Sequence, residues 1–319
     1  MLEVMLVPRM EPAAERFSQA AVLLPWELRQ GAERLTEGDK SRAEELRLRA
    51  GRPPTAVLPE GEITLPGCGD RPVTGEDLRT VLEVATQASA HAVLDRVRDG
   101  FVTVRGGHRV GLCGSAVCEN GVIRTMGTLS SLSIRVAREV PGAASGVRPL
   151  LRGGGAVGGT VILSPPGGGK TTFLRDLIRR LSDGVEGPAL RVGVADERGE
   201  LAAMYDGLPM NDLGDHTDVL DGCPKAAALV MLLRAMNPQV LAADEVANAE
   251  DASALEEAAG CGVALLCTAH AAGPEDLLRR PVFRRLVRRG VLSQAVVLTG
   301  RGEDRRWTLV PLEEGGGPC

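Results

Sequence analysis

The sequence predicts an α/β protein with two domains, of which the second is built from alternating strands and helices. The chain has 319 residues, 44% of them hydrophobic, which is enough for more than one core. Beyond residue 145, short apolar runs alternate with segments whose apolar residues recur at three- and four-residue spacing. One apolar run breaks into consecutive glycines just before such a segment, a pattern typical of α/β proteins that bind phosphate.

Residues 1–145 are expected to form the smaller N-terminal α/β domain. Prolines interrupt its first ~40 residues, which are expected to be helical or partly disordered. Thr74 is a typical N-cap, so a helix should begin there, and a second helix is expected over 88–97. Period-two alternation and turn signals predict strands at 46–49 and 55–58, within 101–114 around a Gly106-Gly107 turn, and at 132–138.

A strand, a glycine-rich loop and a helix follow one another at the start of the second domain. The glycines allow backbone N–H groups to converge on an anion at the helix N-terminus, and Lys170 follows them. Ser164 stands where the usual phosphate-loop pattern has glycine, so only Gly169-Lys170-Thr171 matches it strictly. Of 37 basic residues only Lys40, Lys170 and Lys225 are lysines, which favours a specific role for Lys170. The candidate nucleotide-binding residues are Pro166, Gly167, Gly168, Gly169, Lys170, Thr171 and Thr172.

Acidic and polar residues follow two further apolar strands of this domain. Asp244 and Glu245 end one of them, and the carboxyl ends of parallel strands form the ligand-binding edge of a sheet. Mg²⁺ bound with a nucleotide prefers oxygen ligands, so Thr171 and Asp244 are the predicted metal residues. Glu245 is the predicted catalytic residue that orients or deprotonates a water. Thr268 and His270 follow the next strand and are candidates to contact the γ-phosphate.

Arginines cluster in the expected hairpin and strand that end the N-terminal domain. Arg105, His108 and Arg109 lie at the hairpin tip, and Arg135 and Arg138 lie near the end of strand 132–138. Each arginine alone is most simply a solvated residue on a strand face. Because the cluster precedes a nucleotide-binding core, these arginines are candidates to touch phosphate in the same or a neighbouring subunit.

The overall charge argues against nucleic acid as a partner. A net charge of −5 and a pI near 5.6 give no general attraction to nucleic acid or anionic lipid. Arginines are concentrated at 279–289, but the apolar residues there recur at helical spacing, which favours a solvated helix face. An aromatic content of 2% leaves little for base stacking.

Composition also bears on the cellular compartment. No apolar run approaches the roughly 20 residues of a membrane-spanning helix, and the first residues make a poor signal peptide. The 7 cysteines show no CxxC spacing and fit a reducing environment. The expectation is a cytoplasmic protein without an integral membrane segment.

Several sequence blocks between residues 45 and 310 form a specific combination: Gly106-Gly107-His108-Arg109-Val110-Gly111, Ser164-Pro165-Pro166, Asp196-Glu197-Arg198, Thr217 to Lys225, Asp244-Glu245 and Thr268-Ala269-His270. Together they resemble the stage III sporulation protein AA family, a relative of the type II and type IV secretion ATPases, which shares the serine at position 164. The resemblance implies a RecA-like P-loop ATPase core over 146–312. The glycine-rich end of the chain, at 313–319, is expected to be a disordered tail. It also implies that Glu197 belongs to an acidic box and His270 to a histidine box.

The resemblance further implies a ring-forming ATPase, a homo-hexamer that uses ATP and Mg²⁺ at the mother-cell face of the forespore membrane. Its expected partners are membrane-embedded channel proteins of the sporulation complex. The predicted function is Mg-dependent ATP hydrolysis that powers or assembles a channel from mother cell to forespore, with Arg135 or Arg138 as arginine finger. Two alternatives stay open: a motor stimulated by nucleic acid, and a nucleotide-gated assembly switch without turnover.

Overall fold

The computed structural model describes residues 12–87, 100–146, 157–300 and 305–312. The chain forms two compact units, the first comprising Met1–Glu139 and Ala203–Met210, the second Val140–Ala202 and Asn211–Cys319. The chain therefore first passes between units after Glu139, whereas the sequence placed the boundary near residue 145. The predicted helix at 88–97 and the predicted tail at 313–319 lie outside the described residues.

The first unit contains four described helices, two of which begin at a side-chain cap. Its described helices are α1 Ala13–Ala21, α2 Trp26–Glu33, α3 Glu37–Arg42 and α4 Gly75–Thr86. Thr74 and Asp77 form a capping box at α4, because each side chain accepts a hydrogen bond from the other's backbone N–H. Fully buried Phe17, Leu28 and Leu78 bring these helices into one core with the strands.

The sheet of the first unit has six strands in the order β3-β2-β1-β6-β5-β4, all antiparallel. The strands are β1 Glu45–Arg49, β2 Thr55–Leu58, β3 Gly61–Thr64, β4 Phe101–Thr103, β5 Arg109–Glu119 and β6 Val122–Arg135. The predicted turn at Gly106-Gly107 joins β4 to β5, but β5 and β6 also form a longer hairpin that the sequence did not predict. The first unit also holds a two-stranded ribbon, β9 Met204–Tyr205 with β10 Leu208–Pro209.

The tip of the β4–β5 turn differs from the expectation in one respect. His108 is 1% exposed, and its Nδ1 accepts a hydrogen bond of 3.0 Å from the Ala137 N–H. Burial lowers the pKa of His108 to about 4. His108 is therefore a buried, neutral structural residue and not part of an exposed cluster at the hairpin tip.

The second unit contains a seven-stranded sheet in the order β11-β8-β12-β13-β7-β14-β15. Its strands are β7 Thr160–Ser164, β8 Val192–Asp196, β11 Thr217–Asp221, β12 Val240–Ala243, β13 Ala264–His270, β14 Gln294–Thr299 and β15 Arg306–Pro311. All neighbours are parallel except β14 and β15, which form a terminal hairpin. Because β7, β8 and β12 are buried along their whole length, their apolar runs are continuous.

Helices connect the parallel strands of this sheet: α5 Lys170–Ser182, α6 Lys225–Ala235, α7 Ala249–Gly260, α8 Pro274–Leu278 and α9 Pro281–Arg288. The strand order brings the carboxyl ends of β12, β13 and β7 side by side. The residues that follow these three strands therefore meet at one edge of the sheet.

Candidate functional site

The loop between β7 and α5 has the backbone of a phosphate cradle. Gly167 and Gly169 have φ angles of 73° and 87°, in the left-handed region that favours glycine, and Gly169 is the N-cap of α5. A Cβ on Gly168 would overlap the Ser164 side chain, so the loop is packed closely on the end of β7. The first N–H groups of α5 have no intrahelical acceptor, which makes this helix end favourable for an anion.

Lys170 is the buried cation of this loop. It is 5% exposed, and its Nζ lies 3.2 Å from the Ser164 carbonyl oxygen and 2.9 Å from His270 Nδ1. Burial lowers the pKa of Lys170, against the opposing effect of Asp244 and Glu245. An ammonium has only donors, so His270 accepts through Nδ1, and its Nε2–H is then free to donate.

Glu245 receives that second hydrogen bond. Its Oε1 lies 2.9 Å from His270 Nε2, and its Oε2 accepts from Arg198 Nη1 at 2.9 Å. Burial acts to raise the pKa of Glu245, but the His270 hydrogen bond and the positive charges of Arg198 and Lys170 outweigh it and lower the pKa. Glu245 is therefore a carboxylate at neutral pH, linked through His270 to the phosphate loop.

Asp244 joins the loop through a hydroxyl. Thr171 Oγ1 donates to Asp244 Oδ2 at 2.7 Å, and Thr268 Oγ1 donates to Asp244 Oδ1 at 2.5 Å. The Thr268 hydroxyl also accepts from the Glu245 N–H at 2.9 Å, and the residue is 0% exposed. Thr268 therefore positions the acidic pair, and its contact with the γ-phosphate stays a prediction.

The residues predicted to hold Mg²⁺ fit that ion in type and position. Thr171 and Asp244 place a hydroxyl and a carboxylate oxygen 2.7 Å apart beside the loop, and oxygen is the ligand that Mg²⁺ prefers. Among the described residues, no group of three or more His, Cys, Asp or Glu side chains is placed to hold a metal ion. The arrangement fits an ion that also takes phosphate oxygens and water.

The other acidic block, at the end of β8, divides into two roles. Asp196 is 2% exposed, and its carboxylate accepts backbone N–H groups of Glu200, Leu201 and Ala202, so it stabilises a turn. Glu197 is outside the Lys170–His270–Glu245 network, with its Oε2 3.6 Å from Lys225 Nζ.

Lys225 is a residue of this site that the sequence analysis passed over. It is 7% exposed at the start of α6, and its Nζ donates to the Glu245 carbonyl oxygen at 2.8 Å. It also lies 3.9 Å from Asp251 Oδ2. The signal that identifies it is its residue type, because the chain otherwise uses arginine almost throughout.

The two arginine-finger candidates differ in exposure within the first unit. The Arg135 side chain is 65% exposed, with its Nε 3.0 Å from Glu45 Oε1. It lines a surface cavity of about 320 Å³ together with Arg47 and Arg109. Arg138 instead donates from Nη2 to the Ala43 carbonyl oxygen at 2.6 Å, and burial lowers the pKa of Arg138.

The basic stretch at 279–289 is an amphipathic segment whose charges contact the protein itself. Phe283 and Leu286 are buried, as the helical spacing predicts. Arg285 donates to Glu256 at 2.6 Å, and Arg284 donates to the Leu278 carbonyl oxygen at 3.1 Å. These contacts favour a solvated helix face over a nucleic-acid surface.

A parallel sheet with a glycine-rich loop after β7 and an acidic pair after β12 has the arrangement of the P-loop fold. The structure resembles the Legionella pneumophila ATPase DotB, with a TM-score of 0.55 and 15% identity over 97% of this chain and 83% of that one. It also resembles the pilus retraction motor PilT with bound ADP, with a TM-score of 0.56 and 16% identity over 86% of this chain and 80% of that one.

The sequence identifies the family. The family profile described as "Sporulation stage III, protein AA" matches residues 15–310, so the chain belongs to that family. The stage III sporulation protein AA of Bacillus subtilis strain 168 is 36% identical over 270 residues, which cover 84% of this chain and 86% of the relative. Among the described residues, no helix combines the length and apolar character needed to cross a membrane.

Proposed function

We propose that this chain is a Mg²⁺-dependent ATPase of the secretion type, which powers or assembles a channel between mother cell and forespore. The observation that carries the proposal is the continuous contact from Lys170 through His270 to Glu245, with Thr171 on Asp244 beside it. It unites a phosphate-binding loop, two metal-binding oxygens and a carboxylate base at the ends of neighbouring strands. The family assignment and the fold of the DotB and PilT structures support it.

Each residue of the site has a separate role in the proposed hydrolysis of ATP. Gly167, Gly168 and Gly169 hold the phosphates through backbone N–H groups, flanked by Pro166 and Thr172. Lys170 leaves His270 Nδ1 to reach the terminal phosphates, since an unpaired phosphate is a stronger acceptor than a neutral imidazole. Mg²⁺, when held by Thr171 and Asp244, neutralises charge that develops on the phosphate oxygens. Glu245 takes the proton of the attacking water, and His270 and Glu197 complete the polar edge of the site.

We assign the arginine from a neighbouring subunit to Arg135 in preference to Arg138. The Arg135 side chain is 65% exposed, whereas Arg138 is held at the Ala43 carbonyl oxygen. An arginine of this kind stabilises transition-state charge, so the site is complete only in a ring, which we propose to be a homo-hexamer. The proposed place of action is the mother-cell face of the forespore membrane, with membrane-embedded channel proteins as partners.

The deciding experiment measures phosphate release from Mg-ATP by the purified chain. Lys170→Ala and Glu245→Gln are each expected to lower turnover at least about 100-fold. The controls, Lys40→Ala in the first unit and Glu250→Gln at an exposed position, are expected to stay near wild type. Glu245→Gln is expected to retain ATP affinity, because the loop is unchanged. Hydrolysis at the wild-type rate in both site variants ends the assignment.

The assembly part of the proposal has its own test. Arg135→Ala and Lys170→Ala are each expected to be inactive. In a mixed ring, a Lys170→Ala subunit supplies an intact Arg135 to the intact phosphate loop of a neighbouring Arg135→Ala subunit at a fraction of the interfaces. Recovery of turnover on mixing supports an arginine supplied by the neighbour, and a mixture as inactive as its components contradicts it. Tight ATP binding by the wild-type chain with no phosphate release favours the switch without turnover, which Glu245 argues against.

A further inference from the structure

The terminal hairpin brings a second arginine to the phosphate loop of the same subunit. Arg305 immediately precedes β15, and β14 lies between β15 and β7. Two residues further on, Trp307 packs edge to face on Phe173 of α5, with ring centroids 5.9 Å apart. Its indole N–H also donates to the Ser145 carbonyl oxygen at 3.2 Å.

The distance from Arg305 to Trp307 along the chain matches the distance from Gly169 to Phe173 along α5. Arg305 and Trp307 lie on the same side of an extended chain, about 6.6 Å apart along it. Gly169 and Phe173 lie one turn apart on α5, about 6 Å along the axis. With Trp307 on Phe173, the register therefore places Arg305 on Gly169, at the N-terminus of the helix.

The structure contains this contact. A Cβ added to Gly169 would lie 2.6 Å from Arg305 Nη1 and 2.5 Å from Nη2. The guanidinium thus occupies the space that a side chain at Gly169 would need. Glycine at this position serves the left-handed φ of 87° and also admits the arginine.

The Arg305 guanidinium has unused hydrogen-bonding capacity. Its Nε is shielded from solvent and has no hydrogen-bond partner in the described part of the chain. By contrast, Arg179 on α5 donates to Asp176 at 2.8 Å and Arg285 donates to Glu256 at 2.6 Å. A shielded, unpartnered arginine nitrogen costs free energy unless a ligand supplies the acceptor.

We propose that Arg305 is a nucleotide-binding residue that contacts the phosphates of ATP held by the loop of its own subunit. This proposal rests on the proposed function, because it takes ATP as the ligand of the loop. The planar guanidinium donates to two oxygens of one phosphate, which the Lys170 ammonium does not do. The site then has a lysine from the loop and an arginine from the terminal hairpin in cis, in addition to Arg135 from a neighbour.

The test measures ATP and ADP affinity by titration of Trp307 fluorescence in a Trp26→Phe background, in which Trp307 is the remaining tryptophan. Arg305→Ala is expected to weaken ATP binding about 10- to 100-fold, as loss of a charge-assisted hydrogen bond does. The control Arg306→Ala removes the same side chain from the next residue, which is exposed and lies on the other side of the strand. Its affinity is expected to stay within about twofold of the parent.

Two measurements distinguish phosphate binding by Arg305 from a merely structural role: the salt dependence of ATP affinity, and the stability and fluorescence of the nucleotide-free protein. If Arg305 contacts phosphate, Arg305→Ala flattens the dependence of affinity on salt, while the melting temperature and Trp307 emission without nucleotide stay as in the parent. If Arg305→Ala does not fold, Arg305→Gln decides, because it retains polar packing without charge. Parental ATP affinity in the Gln variant overturns the proposal.

The two proposals fail in different ways. A parent chain that binds no ATP ends the proposed function and the role of Arg305 with it. A parent that binds ATP while Arg305→Ala and Arg306→Ala bind equally well overturns the role of Arg305 alone. Weakened binding confined to Arg305→Ala supports it, and loss for ATP but not ADP assigns the contact to the terminal phosphate.

Discussion

Replacing Thr268 by valine tests whether one hydroxyl positions the acidic pair. The Thr268 hydroxyl accepts from the Glu245 N–H at 2.9 Å and donates to Asp244 Oδ1 at 2.5 Å, and the residue is 0% exposed. Valine has nearly the same shape but neither donates nor accepts. It therefore leaves one partly buried N–H without an acceptor and one carboxylate oxygen without a donor.

The magnitude follows from these two losses. An unsatisfied buried donor costs about 1–3 kcal/mol, and a hydrogen bond to a charged group contributes about 1.5–3 kcal/mol. Because one hydroxyl makes both bonds, the effects are not additive, and we expect the free energy of unfolding to fall by about 3 kcal/mol. For a unit of this size that is a decrease of about 6–12 °C in melting temperature.

The assay pairs thermal unfolding with ATP turnover. Thr268→Ser is the matched control, since it keeps the hydroxyl and loses one buried methyl group, worth about 1 kcal/mol. Thr268→Val should also lower turnover at least about tenfold, because Asp244 and Glu245 lose their shared support. Equal melting temperatures and turnover in the Val and Ser variants would refute the reasoning.

Two further predictions concern buried titratable groups. Burial holds the pKa of His108 at about 4, against about 6.5 in the unfolded chain, so the folded state binds fewer protons between these values and stability is lost as pH falls. Between pH 7 and pH 5 the free energy of unfolding, measured with urea, is expected to fall by about 2 kcal/mol. His108→Gln should remove that pH dependence. A variant whose free energy of unfolding falls with pH as steeply as that of the wild type contradicts the prediction. In the β8 block, Asp196→Asn should lower the melting temperature because its carboxylate accepts three backbone N–H groups, whereas Glu197→Gln should leave it unchanged and lower phosphate release. A Glu197→Gln variant with wild-type turnover removes Glu197 from the site.

The strand ends of the site could be predicted from sequence because they depend on local patterns. Buried parallel strands appear as continuous apolar runs, and polar residues placed directly after them must lie at the sheet edge. This logic located Lys170, Asp244, Glu245 and His270, which the structure brings into one set of contacts. Thr268 was located too, but its orientation into the core depends on the neighbouring strand.

The parts that sequence did not predict depend on tertiary structure. The edge strand β11 has no fully buried residue and contains two aspartates, which are uncommon in strands, so its sequence pattern is weak. The contacts of Lys225 with Glu245 and of Arg305 with Gly169 join residues distant in the chain. No local periodicity encodes such pairs; residue rarity marked Lys225, and no comparable signal marked Arg305.

The backbone of Glu245 shows how the site holds its base in place. Its φ of 49° is in the left-handed region, which costs a non-glycine residue about 1–2 kcal/mol. Thr268 accepts from its N–H and Lys225 donates to its carbonyl oxygen, so both of its peptide groups are fixed by buried side chains. The strained backbone turns the carboxylate away from the direction that an extended strand would give it, towards His270 and Arg198. His270 also holds Lys170. Under the proposed function, a phosphate that draws Lys170 away would leave His270 bound to Glu245 alone, so occupancy of the loop would reach the proposed base without movement of the sheet.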